Sequence, residues 1–222
     1  MNLEKTNLSK IASLLNDAGI PPRFEPHQSQ LLIKVWRMVA NGVPVSQEQI
    51  ALVASEINMP LDSATSFLRQ VSEFDKSGNV VGLFGLSQNK HPHLFRSNDI
   101  TLHTWCAWDS LFLPAMIKQS AKIESKCPVT GEKISITVSP TMVEKTEPVN
   151  AALSIVIPDV KEDSIKGVEE IWMIFCHHVF FFSSPDAANT WLEDKKMNTT
   201  VLTVEEGYQL GQLTFKELMN FV

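Results

Sequence analysis

The sequence predicts an α+β protein, with an N-terminal winged-helix-like helical domain over residues 1–100 and a mixed α/β domain with a small sheet over residues 101–222. Three observations support this division. Apolar residues recur at helical spacing through the first seventy positions and give way to a turn cluster and two short β-rich runs. Beyond Thr101, short β-branched and aromatic runs alternate with helical ones. Charge divides at the same place: residues 1–100 carry nine basic and nine acidic side chains, whereas residues 101–222 carry ten lysines, no arginine and sixteen acids.

The elements follow in order. Leu8, Ile11, Leu14 and Leu15 mark a short amphipathic arm, closed by Gly19 and by Pro21, Pro22 and Pro26. Leu31, Leu32, Val35, Trp36 and Val39 share one helical face, and Asn41-Gly42 ends that helix. Ser46 and Gln49 form a capping box with Val45 and Ile50 as its staple, opening a helix that Asn58-Met59-Pro60 stops. Ala64, Phe67, Leu68 and Val71 mark a third helix. After the turn cluster at 75–79, strands at 80–84 and 94–96 are expected to pair as a hairpin, with His91 and His93 solvated in this wing. Helices followed by a hairpin make a winged-helix unit. Its candidate recognition helix, residues 61–74, holds only Arg69 against Asp62 and Glu73, which favours a packing module over a DNA reader.

In the second half, residues 105–117 read as a strongly apolar helix that Pro114 should bend or interrupt. Strands are expected at 121–123, 134–138, 152–157 and 201–204. Residues 171–182, apolar on both faces, read as a central, doubly covered strand. Ser184-Pro185-Asp186 introduces a helix, and residues 213–221 form a closing one.

Composition narrows the function. An apolar content of 44% excludes a disordered chain, and the longest apolar runs, 171–176 and 179–182, are too short to span a bilayer. The first ten residues hold no apolar signal-peptide core, so a cytoplasmic location is expected. A net charge of −6 argues against general nucleic-acid binding. The sequence contains no G-x-x-x-x-G-K-[ST], G-x-G-x-x-G, H-E-x-x-H or G-x-S-x-G, which leaves nucleotide, zinc-protease and serine-hydrolase chemistry without a motif.

Three cysteines remain: Cys106, Cys127 and Cys176. They are odd in number, widely spaced and free of any C-x-x-C pair, which speaks against a disulfide framework. In Trp105-Cys106-Ala107-Trp108-Asp109, helical geometry puts thiol and carboxyl on one face at i and i+3. Near a helix N-terminus Cys106 would be favoured as thiolate, with Asp109 able to take and return its proton. The alternative is a buried cysteine with Asp109 bonded to a backbone N–H. In Phe175-Cys176-His177-His178, a strand would turn Cys176 and His178 to one face and His177 to the other. Cys176 is then either a soft-metal ligand or nucleophile, or a small core residue. Cys127, before Pro128-Val129-Thr130-Gly131, is half of a zinc knuckle with no other half, and reads as structural. Two potential thiolates and a carboxyl in an oily domain suit a soft, thiophilic target such as Hg(II) or Cu(I).

The stretches Gly42-Val43-Pro44-Val45-Ser46, Phe74-Asp75-Lys76-Ser77-Gly78-Asn79-Val80-Val81-Gly82 and Trp105-Cys106-Ala107-Trp108-Asp109-Ser110-Leu111-Phe112-Leu113-Pro114-Ala115 resemble the organomercurial (alkylmercury) lyases. So do Thr137-Val138-Ser139-Pro140, Phe175-Cys176-His177-His178-Val179-Phe180-Phe181 and Gly207-Tyr208-Gln209-Leu210-Gly211-Gln212. The resemblance implies a cytoplasmic enzyme that splits the carbon–mercury bond by protonolysis, and a winged-helix-like domain before a catalytic α/β domain. It places the two essential cysteines on Cys106 and Cys176, the essential aspartate on Asp109 and a structural cysteine on Cys127. It also puts His177 where some members carry a further cysteine, and His103 in place of a family tyrosine. No organic cofactor is implied. Hg(II) would be held transiently by Cys106 and Cys176, then collected by low-molecular-weight thiols or by a mercuric reductase; neither nucleic acid nor membrane is an expected partner. The competing reading is a non-catalytic soft-metal-binding protein or a metal-responsive winged-helix regulator, motivated by the helix-turn-helix region and His177-His178.

Overall fold

The computed structural model describes residues 7–159, 167–193, 195 and 197–222. Side-chain caps open its first and third helices. Helix α1 (Leu8–Asp17) is capped by the Asn7 side chain, which accepts the Lys10 N–H at 3.0 Å. Helix α2 (Pro26–Val39) starts on a proline whose missing N–H a first turn does not need. Helix α3 (Gln47–Glu56) carries the expected reciprocal Ser46–Gln49 box, and α4 (Leu61–Val71) buries Ala64, Phe67, Leu68 and Val71.

Strands β1 (Ser72–Phe74), β2 (Val80–Leu83), β3 (Leu86–Ser87), β4 (His93–Ser97) and β5 (Ile100–Thr104) follow. They join β6 (Ala121–Lys126), β7 (Lys133–Val138) and β8 (Val143–Glu147) in one antiparallel sheet of order β1-β2-β3-β5-β4-β6-β7-β8. The expected hairpin between 80–84 and 94–96 does not form. β2 pairs with β1 and β3, while β4 lies between β5 and β6. That inner position buries every second residue of β4, so His93 is 2% exposed rather than solvated. The sheet runs unbroken past residue 100, through β4–β6 pairing.

A second antiparallel sheet has the order β10-β9-β11, built from β9 (Ala152–Val156), β10 (Phe181–Phe182) and β11 (Thr199–Thr203). Helix α5 (Asp109–Ile117) is buried almost all round. It begins four residues later than expected and continues through Pro114, ended by Lys118 in the left-handed conformation. The expected central strand at 171–182 is instead helix α6 (Val168–Ile174), a 3₁₀ turn over Cys176–His178, and the two residues of β10. Glu169 and Glu170 in the first turn of α6 suit a helix N-terminus, and an apolar run alone does not separate buried helix from strand.

After α7 (Pro185–Leu192), helix α8 (Val204–Thr214) opens on a Thr203–Glu206 capping box, and α9 (Lys216–Met219) closes the chain. Helix α8 packs on α1 and α5, tying the two ends of the chain together. A Cβ on Gly207 would stand 2.4 Å from Leu153 Cδ2, so glycine there lets α8 close onto β9. Trp108 Nε1 then donates to the Gly207 carbonyl at 2.9 Å. Among the described residues no helix is long and apolar enough to cross a membrane.

Candidate functional site

Cys106 lies between β5 and α5, in a bend rather than in the helix. Three bonds hold the bend. Thr104 Oγ1 donates to the Cys106 carbonyl at 2.9 Å, Ser110 Oγ donates to the Ala107 carbonyl at 2.6 Å, and the Cys106 N–H donates to Asp109 Oδ2 at 2.8 Å. The last repeats the reach of a capping box, in which a side chain three positions on returns to an earlier backbone N–H. Asp109 thus satisfies a backbone donor while its carboxyl stands beside the Cys106 thiol.

Cys176 opens the 3₁₀ turn after α6. Ser154, a lone hydroxyl in the apolar strand β9, fixes the turn: its Oγ donates to the His178 carbonyl and accepts the Phe180 N–H, each at 3.0 Å. The Ala107 N–H donates to the Val179 carbonyl at 3.3 Å, joining the two cysteine-bearing segments directly. The sulfurs of Cys106 and Cys176 and a carboxylate oxygen of Asp109 all lie within 4.8 Å of one another. Exposures of 0%, 4% and 7% bury all three residues. Among the described residues this is the one group of three such side chains close enough to share a metal ion.

Burial dominates the electrostatics. It pushes the Cys106 thiol well above its ordinary range, helped by the hydrogen bond to Cys176 and the charge of Asp109. This reverses the thiolate expected from a helix N-terminus, because Cys106 sits outside the first turn and faces a carboxylate. Cys176 is pulled down by its hydrogen bond from Cys106, but burial and Asp109 outweigh that and leave it raised. Burial lifts Asp109 from 3.8 to about 6, against the lowering pull of hydrogen bonds from Cys106. A carboxyl poised there can take a proton and return it near neutrality.

Gly85 gives the carboxyl its room. Its φ of +100° is open to glycine, and a Cβ there would stand 2.8 Å from Asp109 Cγ. Two cavities meet at Cys176. The outer one, of about 250 Å³, is lined by His91, His93, Trp105, Trp172, Cys176 and His177. The inner one, of about 20 Å³, is lined by Phe84, Trp105, Trp108, Asp109, Phe175 and Cys176, among others. His177 thus faces the outer cavity. His178 Nε2 donates to the Met173 carbonyl at 3.1 Å, and His103 Nδ1 donates to the His91 carbonyl at 2.9 Å; neither lines a cavity at Cys176.

Cys127 stays outside the cluster. It is buried in the β6–β7 turn, where its sulfur accepts the Thr130 N–H at 3.5 Å. Burial raises its thiol, but bonds from Thr130 prevail and bring it down to about 7.

Comparison with known proteins points the same way. A family model described as alkylmercury lyase matches residues 86–216. The chain is 33% identical over 222 aligned residues to an alkylmercury lyase of Pseudomonas putida, with 98% of this chain and 96% of that protein covered. It is 37% identical over 211 residues to one from Staphylococcus epidermidis, covering 93% and 90%. In fold it is similar to the mercury-bound form of MerB2, with a TM-score of 0.72 and 24% identity over 96% of this chain and all of that one.

Proposed function

The chain belongs to the alkylmercury lyase family, and from that premise we propose that it cleaves the carbon–mercury bond by protonolysis with Cys106, Cys176 and Asp109. The observation that carries the proposal is the buried triad of two sulfurs and one carboxylate, all within 4.8 Å. A two-coordinate soft ion with metal–sulfur bonds near the roughly 2.3 Å of zinc thiolates needs sulfurs about 4.6 Å apart. The two sulfurs, within 4.8 Å of one another, are near enough for one such ion to draw on both.

In this reading, Cys176 meets the substrate first, because it lines the outer cavity and Cys106 does not. Its sulfur displaces the carrier thiolate from R–Hg–SR′, and its proton leaves on R′SH. Cys106 sulfur then adds to mercury while its proton passes to Asp109. The second sulfur raises electron density on mercury and pushes charge onto the carbon it must release. Asp109 delivers the proton to that carbon: the C–Hg bond breaks, a C–H bond forms, the hydrocarbon departs and the carboxylate is restored. Holding the proton donor beside the reacting carbon supplies the orientation that solution lacks.

Hg(II) is then held between the two thiolates. Two molecules of a small thiol exchange with it, or the cysteine pair of a mercuric reductase receives it, and both cysteines regain their protons. No organic cofactor enters these steps, and a thiol-rich cytoplasm is the compartment that suits release. The N-terminal helices serve as packing support for the site.

The test is incubation with phenylmercury and excess thiol, followed by gas chromatography. Benzene is the expected product. Mercury bound without benzene above background would support a non-catalytic soft-metal protein instead.

A further inference from the structure

Trp105 is the one residue besides Cys176 that lines both cavities, so it stands where the two meet. Glu73, from β1, holds that indole. Glu73 Oε1 accepts the Trp105 Nε1–H at 2.5 Å and the His91 Nε2–H at 3.1 Å, while Oε2 accepts the Asn89 Nδ2–H at 2.7 Å. The carboxylate is 11% exposed and packs where a Cβ on Gly82 would stand 2.6 Å from Oε1. Trp172 then lies edge-on to Trp105 with ring centres 5.4 Å apart, and His91 lies 5.6 Å from Trp172. Three donors thus converge on one anion, and two of them carry rings of the outer wall.

We propose that Glu73 is a positioning residue whose carboxylate fixes Trp105 as the partition between the cavities, and that this sets which organic groups are cleaved efficiently. The proposal rests on the lyase reading above. Glu73 lies outside the matched family region, residues 86–216, and its hydrogen bonds go to Trp105, His91 and Asn89 rather than to either cysteine or Asp109.

The inner space of about 20 Å³ holds little more than one water-sized group. A methyl group stands against Asp109 only if the partition confines it there. A phenyl group is too large for that space, extends past Trp105 into the outer cavity, and is oriented by its own bulk. Charge-assisted hydrogen bonds are roughly twice as strong as neutral ones. A glutamine at position 73 would lose that charge and turn an amide NH₂ toward a donor, freeing the indole.

The test compares methylmercury and phenylmercury with Glu73→Gln, Trp105→Phe and the double variant, reading kcat and KM separately. For Glu73→Gln, kcat/KM for methylmercury is expected to fall about tenfold and for phenylmercury less than about threefold, mainly through kcat. In the Trp105→Phe background, which has no N–H to hold, Glu73→Gln should add nothing. Equal losses for both substrates, or full additivity in the double variant, would overturn the proposal. If Glu73→Gln does not fold, Trp105→Phe alone must shift the methyl-to-phenyl ratio in the same direction, and an unchanged ratio refutes the proposal. An unmodified protein that releases neither methane nor benzene refutes the lyase reading itself; one that releases both, with the ratio unmoved by these variants, refutes only the role of Glu73.

Discussion

The Cys106 backbone N–H donates to Asp109 Oδ2 at 2.8 Å, so the residue bearing one sulfur also aims the carboxyl that lies within 4.8 Å of both. The bend before α5 therefore does two things. It turns Cys106 toward Cys176, and it holds Asp109 in a buried position where a carboxylate is expensive to keep charged.

That cost is measurable. Asp109 titrates at about 6 in the folded chain against an ordinary 3.8. The native state thus binds the proton more tightly than the unfolded one. Stability from this group is full below the ordinary value and is lost as pH rises through about 6, at about 1.4 kcal/mol per unit. Asp109→Asn keeps an acceptor oxygen for the Cys106 N–H and carries no charge. It should be more stable than the parent by up to about 3 kcal/mol at pH 8 and nearly equal at pH 4, in urea unfolding at both. Turnover should fall by about a hundredfold or more. A variant less stable than the parent at pH 8 would contradict the buried-charge account.

The same titration sets the activity profile. Below about 6 Asp109 is already protonated and cannot accept the Cys106 proton. With phenylmercury, kcat/KM should therefore drop as pH falls through that value, and Asp109→Asn should remove the step. A flat profile from pH 5 to 7.5 would speak against proton acceptance by Asp109.

Cys106→Ser and Cys176→Ser should each lower hydrocarbon release by about a thousandfold or more, since parts of one catalytic unit fail together. Capture should separate them. Cys176 lines the outer cavity, so Cys106→Ser should still bind phenylmercury one-to-one, whereas Cys176→Ser should bind it far more slowly. Stopped-flow quenching of tryptophan fluorescence distinguishes these, and the reverse order of rates would reverse the assignment.

Cys127→Ser belongs to another class. The residue is buried at the β6–β7 turn, where its sulfur accepts the Thr130 N–H and its own N–H donates to the Glu132 carbonyl at 2.9 Å. A serine fits the space but swaps a soft apolar atom for a hydroxyl. A loss of about 1 kcal/mol in stability, with kcat unchanged below the transition, is expected from thermal unfolding and benzene assays. Loss of turnover in fully folded Cys127→Ser would place a third cysteine in the chemistry.

Local signals in the sequence mark the candidate residues more directly than the path of the backbone between them. Capping pairs such as Ser46–Gln49 act within one turn and read directly. Helical spacing pairs Cys106 with Asp109, and the structure brings them together through a bend and a side-chain bond instead. Apolar neighbours on both sides, a pattern that a buried helix shares, predict a strand at Cys176, where a 3₁₀ turn follows a helix. Glu169, Glu170 and the length of the run are the signals against a strand. Ser154 was also visible in principle, as a lone hydroxyl within Ala151-Ala152-Leu153-Ser154-Ile155-Val156-Ile157. The meeting of the two sulfurs, seventy positions apart, depends on a long-range bond from Ala107 to Val179 that no local pattern encodes.

Gly85 supplies the remaining test, because it acts on the carboxyl without contributing any chemistry. Gly85→Ala places a Cβ 2.8 Å from Asp109 Cγ, at a φ of +100° that an L side chain rarely adopts. Strain of this kind costs on the order of 1–3 kcal/mol. The carboxyl must also move away from the position where it accepts the Cys106 N–H. Turnover should fall by about tenfold or more while one-to-one phenylmercury capture persists, because both sulfurs keep their own supports in Thr104, Ser154 and the Ala107–Val179 bond. Capture and turnover measured on protein shown folded by circular dichroism would separate these effects. Full activity in such a variant would mean that the position of Asp109 does not control proton delivery.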